Sequence, residues 1–405
     1  MTTTENTTEV FPYPRTCPYT PPKEYTRFRE EGGLHKVPLW DGRQAWLVTR
    51  YDQVRAMLGD AESFSSDITR DGFPVSTANS RATEAGAIMR KDDPEHARDR
   101  RIMSREFSVK RVEALRPRVL EITDELIDDL LRRGESGPVD FVEHFAHQLP
   151  ARVICEMMGL SDADRVAFAE HVLIATDYDS SQDEVQRAHR EMSELFDRVI
   201  AEKTTHPGED IASRLVHDHL TTGEIDSDAA KRMLMVLFAG GQDTTANMLG
   251  LSVQALLEHP DQLRVLREQP EAVPGAVEEL LRFLSVNQGE PRRVVAKDTE
   301  LADCPLHAGD AIIASLNAAN FDPAVFDRED APASELSLTR AARNHVAFGY
   351  GVHQCLGQNL ARVELQVVLP RLFERIPGLR LAADKPITYR TTAVIYGLEQ
   401  LWLTW

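Results

Sequence analysis

The stretch "AFGYGVHQCLGQ", Ala347 to Gln358, sets Cys355 among three glycines and a histidine, directly ahead of the helical apolar spacing Leu356, Leu360, Val363, Leu365, Val368. A sulfur at a helix N-terminus meets free backbone N–H groups and the positive end of the helix dipole. Both favour the thiolate, the form that ligates metals or attacks electrophiles. Gly349, Gly351 and Gly357 let the backbone approach something large and flat with no Cβ in the way. On the cysteine alone, a structural thiol beside a glycine turn accounts for the pattern as well. A second string, "FAGGQDTTANM", joins an acid and an alcohol, Asp243 and Thr244, just after Gly240 and Gly241. An acid beside an alcohol can relay protons. Alone, the pair also reads as a kink, because a threonine hydroxyl can bond back one turn and bend the helix.

Positioning these groups falls to a mainly helical chain. Asp226, Ser227 and Asp228 form an acidic first turn, and His259-Pro260 supplies a stop. Between them one helix of about 32 residues, roughly 48 Å at 1.5 Å per residue, must cross the molecule. Its centre holds two glycines, each costing about 1 kcal/mol relative to alanine, and Asp243 is expected to be buried there. Such a cluster of local penalties marks function. Further helical periodicity covers about 95–107, 111–134, 140–158, 162–176, 183–204, 274–285 and 356–369. "KVPLWDGRQAWLVTR" predicts a hairpin turning at Asp41-Gly42. Strand signals return near 307–315 and in the last twenty residues, while 321–344 has little periodicity. Without linker, repeat or low-complexity tract, a single domain over 1–405 with small peripheral sheets is expected.

The chain carries 46 basic and 65 acidic residues, a net charge of −19, which argues against nucleic acid or an anionic membrane as the main partner. The N-terminal segment is polar and proline-rich, lacks the apolar core of a signal peptide, and no run approaches a membrane span. Cys17, Cys155, Cys304 and Cys355 stand far apart without CxxC spacing, suggesting neither a disulfide framework nor a zinc site. A cytoplasmic, thiol-reduced monomer is expected.

"FGYGVHQCLG", Phe348 to Gly357, resembles the haem-thiolate loop of the cytochrome P450 family position for position. Three other motifs agree, in the family's order. "EELLR" places Glu279 and Arg282 like its Glu-x-x-Arg pair. "GGQDTT" resembles the distal acid–threonine motif, with Gly240 where alanine is commoner. "HARDR" sets His96 and Arg100 at i, i+4. Singly, Glu279 with Arg282 also reads as a surface ion pair; four motifs together identify the family.

The resemblance implies a helical prism around a buried haem b (iron protoporphyrin IX), with small peripheral β-sheets. Cys355 would be the proximal iron ligand, within a loop that includes Phe348, Gly349 and Gly357. His96, Arg100, Arg293 and His353 would hold the propionates, and Arg282 and Glu279 would join Arg340 in a buried ion network. Thr244 and Asp243 would deliver the two protons needed to cut dioxygen, in a groove opened by a kink. The result is insertion of one oxygen atom into a C–H or C=C bond. By position in the family, the substrate pocket would draw on Met89, Leu173, Leu237, Gly240, Val286, Asn287, Glu290, Val394 and Ile395; core packing explains each at least as well.

"CPYTPP", "GVHQCLGQNLAR" and "VPGAVEELLRFL" look like the soluble actinomycete hydroxylases of macrolides, other polyketides and steroids. Two departures are "KDDPEH", where Asp-Pro-Pro-Glu-His is commoner, and Phe321, where that group usually has arginine. A nitric-oxide-reductase type, a peroxide-driven oxygenase and a haem sensor are the competing readings; retention of Asp243-Thr244 argues against each. No flavin or iron–sulfur motif is recognisable, so electrons are expected from a ferredoxin and its ferredoxin reductase. Between Arg98 and Arg118, eight basic residues stand against three acidic ones, a candidate docking patch for an acidic ferredoxin.

Because Cys355 alone lies in the helix-start loop, Cys355→Ala should abolish the thiolate spectrum of the ferrous carbon monoxide complex. Changes at Cys17, Cys155 or Cys304 should leave it intact; a thiolate spectrum from the Cys355 variant would overturn the ligand assignment.

Overall fold

The computed structural model describes residues 10–77, 80, 84–177, 179–289, 291–391 and 393–405. Apolar spacing becomes helix in α1 (Lys23–Glu31), α2 (Tyr51–Gly59), α3 (Glu95–Ser104), α4 (Arg116–Gly134), α5 (Gln148–Met158), α6 (Asp162–Thr176), α7 (Gln182–Thr205), α8 (Ser227–Glu258), α9 (Pro260–Glu268), α10 (Val273–Leu284) and α11 (Gln358–Arg375). Ser161 and Ser181 start α6 and α7 with reciprocal capping boxes, and Asp226 caps α8 by accepting from the Ala229 N–H. The last turns of α8 are buried on every side, against α5, α10 and α11. That requires a helix apolar all round, and "LGLSVQALL" supplies it.

The main sheet lies at one edge, in the order β1 (His35–Pro38), β2 (Gln44–Val48), β8 (Ala311–Ala314), β5 (Arg292–Val295), β3 (Phe64–Ser65). β1 and β2 pair antiparallel with His35 opposite Leu47, and Gly42 takes the positive φ of 81° that their turn requires. β5 runs antiparallel to β8, with Arg293 opposite Ile312. Near the C-terminus, β10 (Thr388–Arg390) pairs with β11 (Gly397–Gln400). No helix among the described residues is long and apolar enough to cross a membrane.

Three expectations change in detail. The 111–134 segment breaks into Val109–Ala114 and α4, because Pro117, near the start of α4, lacks an N–H to continue the earlier ladder. The 140–158 segment begins as a widened turn over Val142–Ala146 before α5. α11 passes through Pro370 to Arg375, well beyond 369. The short helices α1, α2 and α9 carry too few turns for periodicity to single them out.

The aperiodic stretch 321–344 is explained by two guanidiniums. Glu279 has no accessible surface and accepts from Arg282 at 2.7 and 2.8 Å, from Arg340 at 3.0 Å and from the Ser337 N–H at 3.0 Å. Arg282 donates onward to the carbonyls of Asn320 and Ala333, both at 2.8 Å, and Arg340 to those of Phe326, Ala331 and Pro332. Carbonyls that would close helical turns are spent on arginine instead. Phe321, the departure from arginine, lies under the Arg282 guanidinium at 5.4 Å and stacks on Phe283.

Glu279→Ala should cost about 3–5 kcal/mol in urea unfolding, since it strands two buried cations. Glu374→Ala, which removes an exposed partner of Arg371, should cost less than about 1 kcal/mol. Equal effects would show that the network contributes no more than a surface pair.

Candidate active site

Cys355 lies between a single turn at Gly351–His353 and the start of α11, and its N–H donates to the Phe348 carbonyl at 2.8 Å. Gly349 and Gly351 hold positive φ of 72° and 75°. A Cβ on Gly351 would stand 2.2 Å from the Leu58 carbonyl oxygen, so α2 can pack on the loop only because that residue is glycine. Burial pushes the Cys355 thiol up, while N–H groups of Gly357 and Gln358 and the cations Arg100 and Arg362 pull it down. Cys355 nonetheless keeps accessible surface.

The centre of α8 borders open space as well. Gly240 is exposed, and nothing lies within 4 Å of where its Cβ would be. The Thr244 hydroxyl donates to the Gly240 carbonyl at 2.7 Å, the expected bond back by one turn, although helix continues unbroken through it.

A cluster of histidines and arginines flanks the cysteine loop. His96 is buried, its Nδ1 3.2 Å from Asp93, and its Nε2 has no hydrogen-bond partner. Its ring lies 4.0 Å from that of His353, whose Nε2 meets the Ser66 hydroxyl at 2.9 Å. Burial, then the charges of Arg293, His96, Arg100 and Arg90, push the His353 pKa down to about 2. The Arg100 guanidinium has no ion pair among the described residues; burial lowers its pKa, and the one opposing charge is Cys355. Arg293, not Arg292, joins this cluster: the alternation of β5 sends Arg292 to the carbonyls of Gly289 and Pro74. Arg100 and Arg293 packed beside an orphaned imidazole nitrogen suit an anionic group. An accessible thiol in a glycine loop beside these basic residues fits a haem with its two propionates.

Asp243 is buried as expected, but it is not alone. Arg390 of β10 donates to both its oxygens, at 2.9 and 3.1 Å, and Asn247 donates to it at 3.0 Å. Arg390 also reaches the Thr176 hydroxyl at 2.6 Å and the Leu173 carbonyl at 3.3 Å, tying α6 to α8. Asn247 is one turn along from Asp243 and was open to a helical reading. Arg390 lies 147 positions away, and nothing in the sequence signals it.

Of the pocket residues, Val286, Asn287, Val394 and Ile395 are brought together. Asn287 bridges to Ile395, the Tyr396 N–H donates to the Val286 carbonyl at 2.7 Å, and the Val394 N–H to that of Thr176 at 3.2 Å. Leu173 stands one turn before Thr176 on α6, its carbonyl accepting from the Thr176 hydroxyl at 3.4 Å and from Arg390 at 3.3 Å. Met89 is 42% exposed on a separate short turn, and Leu237 borders a small cavity beside Ile102 and Met103. Glu290 lies outside the described residues.

The basic run 98–118 is more nearly neutral than its composition. Arg98 pairs with Asp99 at 2.8 Å, Arg101 with Glu224 at 2.5 Å, Arg111 with Glu106, Arg116 with Glu113 at 2.8 Å, and Arg118 with Glu156 at 2.6 Å. Arg105 and Lys110 are exposed and have no acidic partner among the described residues.

Known proteins are similar to this chain over nearly its whole length. The family model described as "Cytochrome P450" matches residues 165–377. Cytochrome P450 105A3 of Streptomyces carbophilus is 41% identical over 98% of this chain and 96% of its own length. The vitamin D3 dihydroxylase of Streptomyces griseolus is 40% identical over 100% and 99%. The crystal structure of mycinamicin VIII C21 methyl hydroxylase from Micromonospora griseorubida, bound to mycinamicin VIII, superposes with a TM-score of 0.91 at 38% identity, covering 98% of this chain and 100% of that one. With the helical prism, the cysteine loop and these full-length likenesses in agreement, the chain belongs to the cytochrome P450 family of haem-dependent monooxygenases.

Proposed function

We propose that the protein inserts one oxygen atom from O2 into a C–H or C=C bond of a mainly apolar small molecule of macrolide, polyketide or steroid-like character. It would act as a cytoplasmic monomer and single domain over 1–405, served by a ferredoxin and its reductase. The observation that carries this reading is the accessible Cys355 thiol in its glycine loop beside His96, a buried imidazole whose Nε2 has no hydrogen-bond partner. Haem b, when bound, supplies reductive activation of dioxygen, with one atom going to substrate and the other to water.

The chain's residues divide the remaining work. Cys355 Sγ would ligate the iron, and Phe348, Gly349 and Gly357 would shape the loop that presents it. His96, Arg100, Arg293 and His353 would bind the propionates with charge-assisted bonds. On the other side, the Thr244 hydroxyl turns from the Gly240 carbonyl to hold a proton or a water where oxygen is reduced. Asp243, aligned by Arg390 and Asn247, passes protons to it from solvent. Leu173, Gly240, Val286, Asn287, Val394 and Ile395 line the substrate side, with Met89, Leu237 and Glu290 as outlying candidates. Their mixture suits an apolar ligand with a few polar groups. The relatives named for vitamin D3 and mycinamicin VIII are of this chemical kind. A panel of macrolides, steroids and secosteroids, read by haem difference spectra and then by product analysis, tests the class. The absence of any spectral response or product across the panel would reject it.

Thr244→Ala should bind substrate normally yet divert reducing equivalents to hydrogen peroxide, lowering product per NAD(P)H and slowing product formation by about 10²-fold or more. Asp243→Asn should mainly slow turnover. Wild-type rate and coupling in both variants would refute the relay.

Docking should rest on the two unpaired cations. Reversing Arg105 and Lys110 to glutamate should weaken reduction by an acidic ferredoxin at low salt, and the difference should shrink as salt is raised. Peroxide-supported oxidation should not change. Unaltered ferredoxin kinetics would place the docking face elsewhere.

A further inference from the structure

Two adjacent carboxylates on α10 face different parts of the protein. Glu279 serves the arginines described above. Glu278, also buried, accepts a two-pronged bond from Arg362 of α11, Nε to Oε1 at 2.7 Å and Nη2 to Oε2 at 2.9 Å. Its Oε2 also meets His345 Nε2 at 3.1 Å. The Ala347 N–H donates to His345 Nδ1 at 3.1 Å, so the ring proton belongs on Nε2 and points at Glu278. Burial alone would raise the Glu278 carboxyl, but the bonds and charges of His345 and Arg362 hold it down at about 2. One carboxylate thus grips both ends of the cysteine loop, His345 ahead of it and Arg362 one turn into α11, which follows Cys355.

Arg362 is placed by more than this fork. Its Nη1 donates to the Gln358 side chain at 3.0 Å, and its guanidinium lies over the Phe348 ring at 4.6 Å. Phe348 in turn accepts the Cys355 N–H on its carbonyl. Arg362 therefore stands on the cysteine side of its ion pair, and Arg362 and Arg100 are the cations that bear on the thiol.

We propose that Arg362, aimed by Glu278 and laid over Phe348, is a positioning residue that compensates the negative charge of the Cys355 thiolate and so sets the reduction potential of the iron it ligates. This rests on Cys355 being the iron ligand. A cation in a poorly solvated site favours the reduced, less positive iron, and its carboxylate partner opposes that effect from farther away.

The test is anaerobic spectroelectrochemical titration of the substrate-free holoenzyme, with the ferrous carbon monoxide spectrum recorded for each variant. Arg362→Gln should move the potential to more negative values, and Glu278→Gln should move it to more positive ones. Arg362→Lys keeps the charge but loses the fork, and should fall between wild type and Arg362→Gln. Arg105→Gln, an exposed cation, should shift it far less. Opposite signs for the two sides of one ion pair distinguish electrostatics from loosening of the loop, which would move both alike. Shifts of the same sign, no shift, or an Arg105→Gln shift equal to that of Arg362→Gln would overturn the proposal. If Arg362→Gln fails to take up haem, Glu278→Gln and Arg362→Lys decide by the same signs. Failure of the Cys355 assignment would show separately, as absence of the thiolate band from the wild-type complex.

Discussion

A carboxylate with no contact with water survives in a fold only if opposite charge surrounds it and donors occupy its lone pairs. Glu279 meets both conditions with Arg282, Arg340 and the Ser337 N–H. The requirement propagates outward. The arginines consume carbonyls from Asn320 to Glu335, which holds an otherwise unpatterned segment in one path across the base of α10. Asn320 continues the path: its side chain accepts the Val346 N–H at 2.8 Å, at the start of the cysteine loop. The position of Cys355 thus depends on a buried charge and on the donors that satisfy it.

α8 solves a different problem. It must be apolar where it crosses the core and open where oxygen and substrate meet, and the two demands fall on successive turns. Gly240 supplies space, the Thr244 hydroxyl satisfies itself on the Gly240 carbonyl at rest, and Asp243 is turned to Arg390. With its acid group anchored from β10 and α6, the helix needs no sharp kink to place acid and alcohol side by side. The same arginine touches Leu173 and Thr176, so the end of α6 and the proton-handling acid share one fastening.

Local pattern carried far in this chain. The 3.6-residue spacing marked α6, α7, α8 and α10 to within a residue or two, since Ser161, Ser181 and Asp226 cap the first three and Pro274 opens α10. It did less well where a proline divided a periodic run before α4, or where Pro370 was tolerated inside α11, because neither outcome is set by periodicity alone. The four motifs were legible for a related reason. Each places its chemistry within a few residues, as a helix turn or a glycine loop does.

Pairings across long separations were not legible. Arg390 with Asp243, Arg362 with Glu278, and Arg101 with Glu224 join residues that no spacing rule connects. The excess of five basic residues from 98 to 118 (eight minus three) therefore overstated the free charge of that surface, which Glu156 and Glu224 bring down to three. Sequence by itself determined the residue types, the helices that carry them and the family to which they point, because hydrophobic period, capping and backbone freedom act over a turn or two. Tertiary structure decided which charges are paired, which are left to face a ligand and how the acid is aimed, because burial and Coulomb energy depend on distance through space, and folding alone sets that distance.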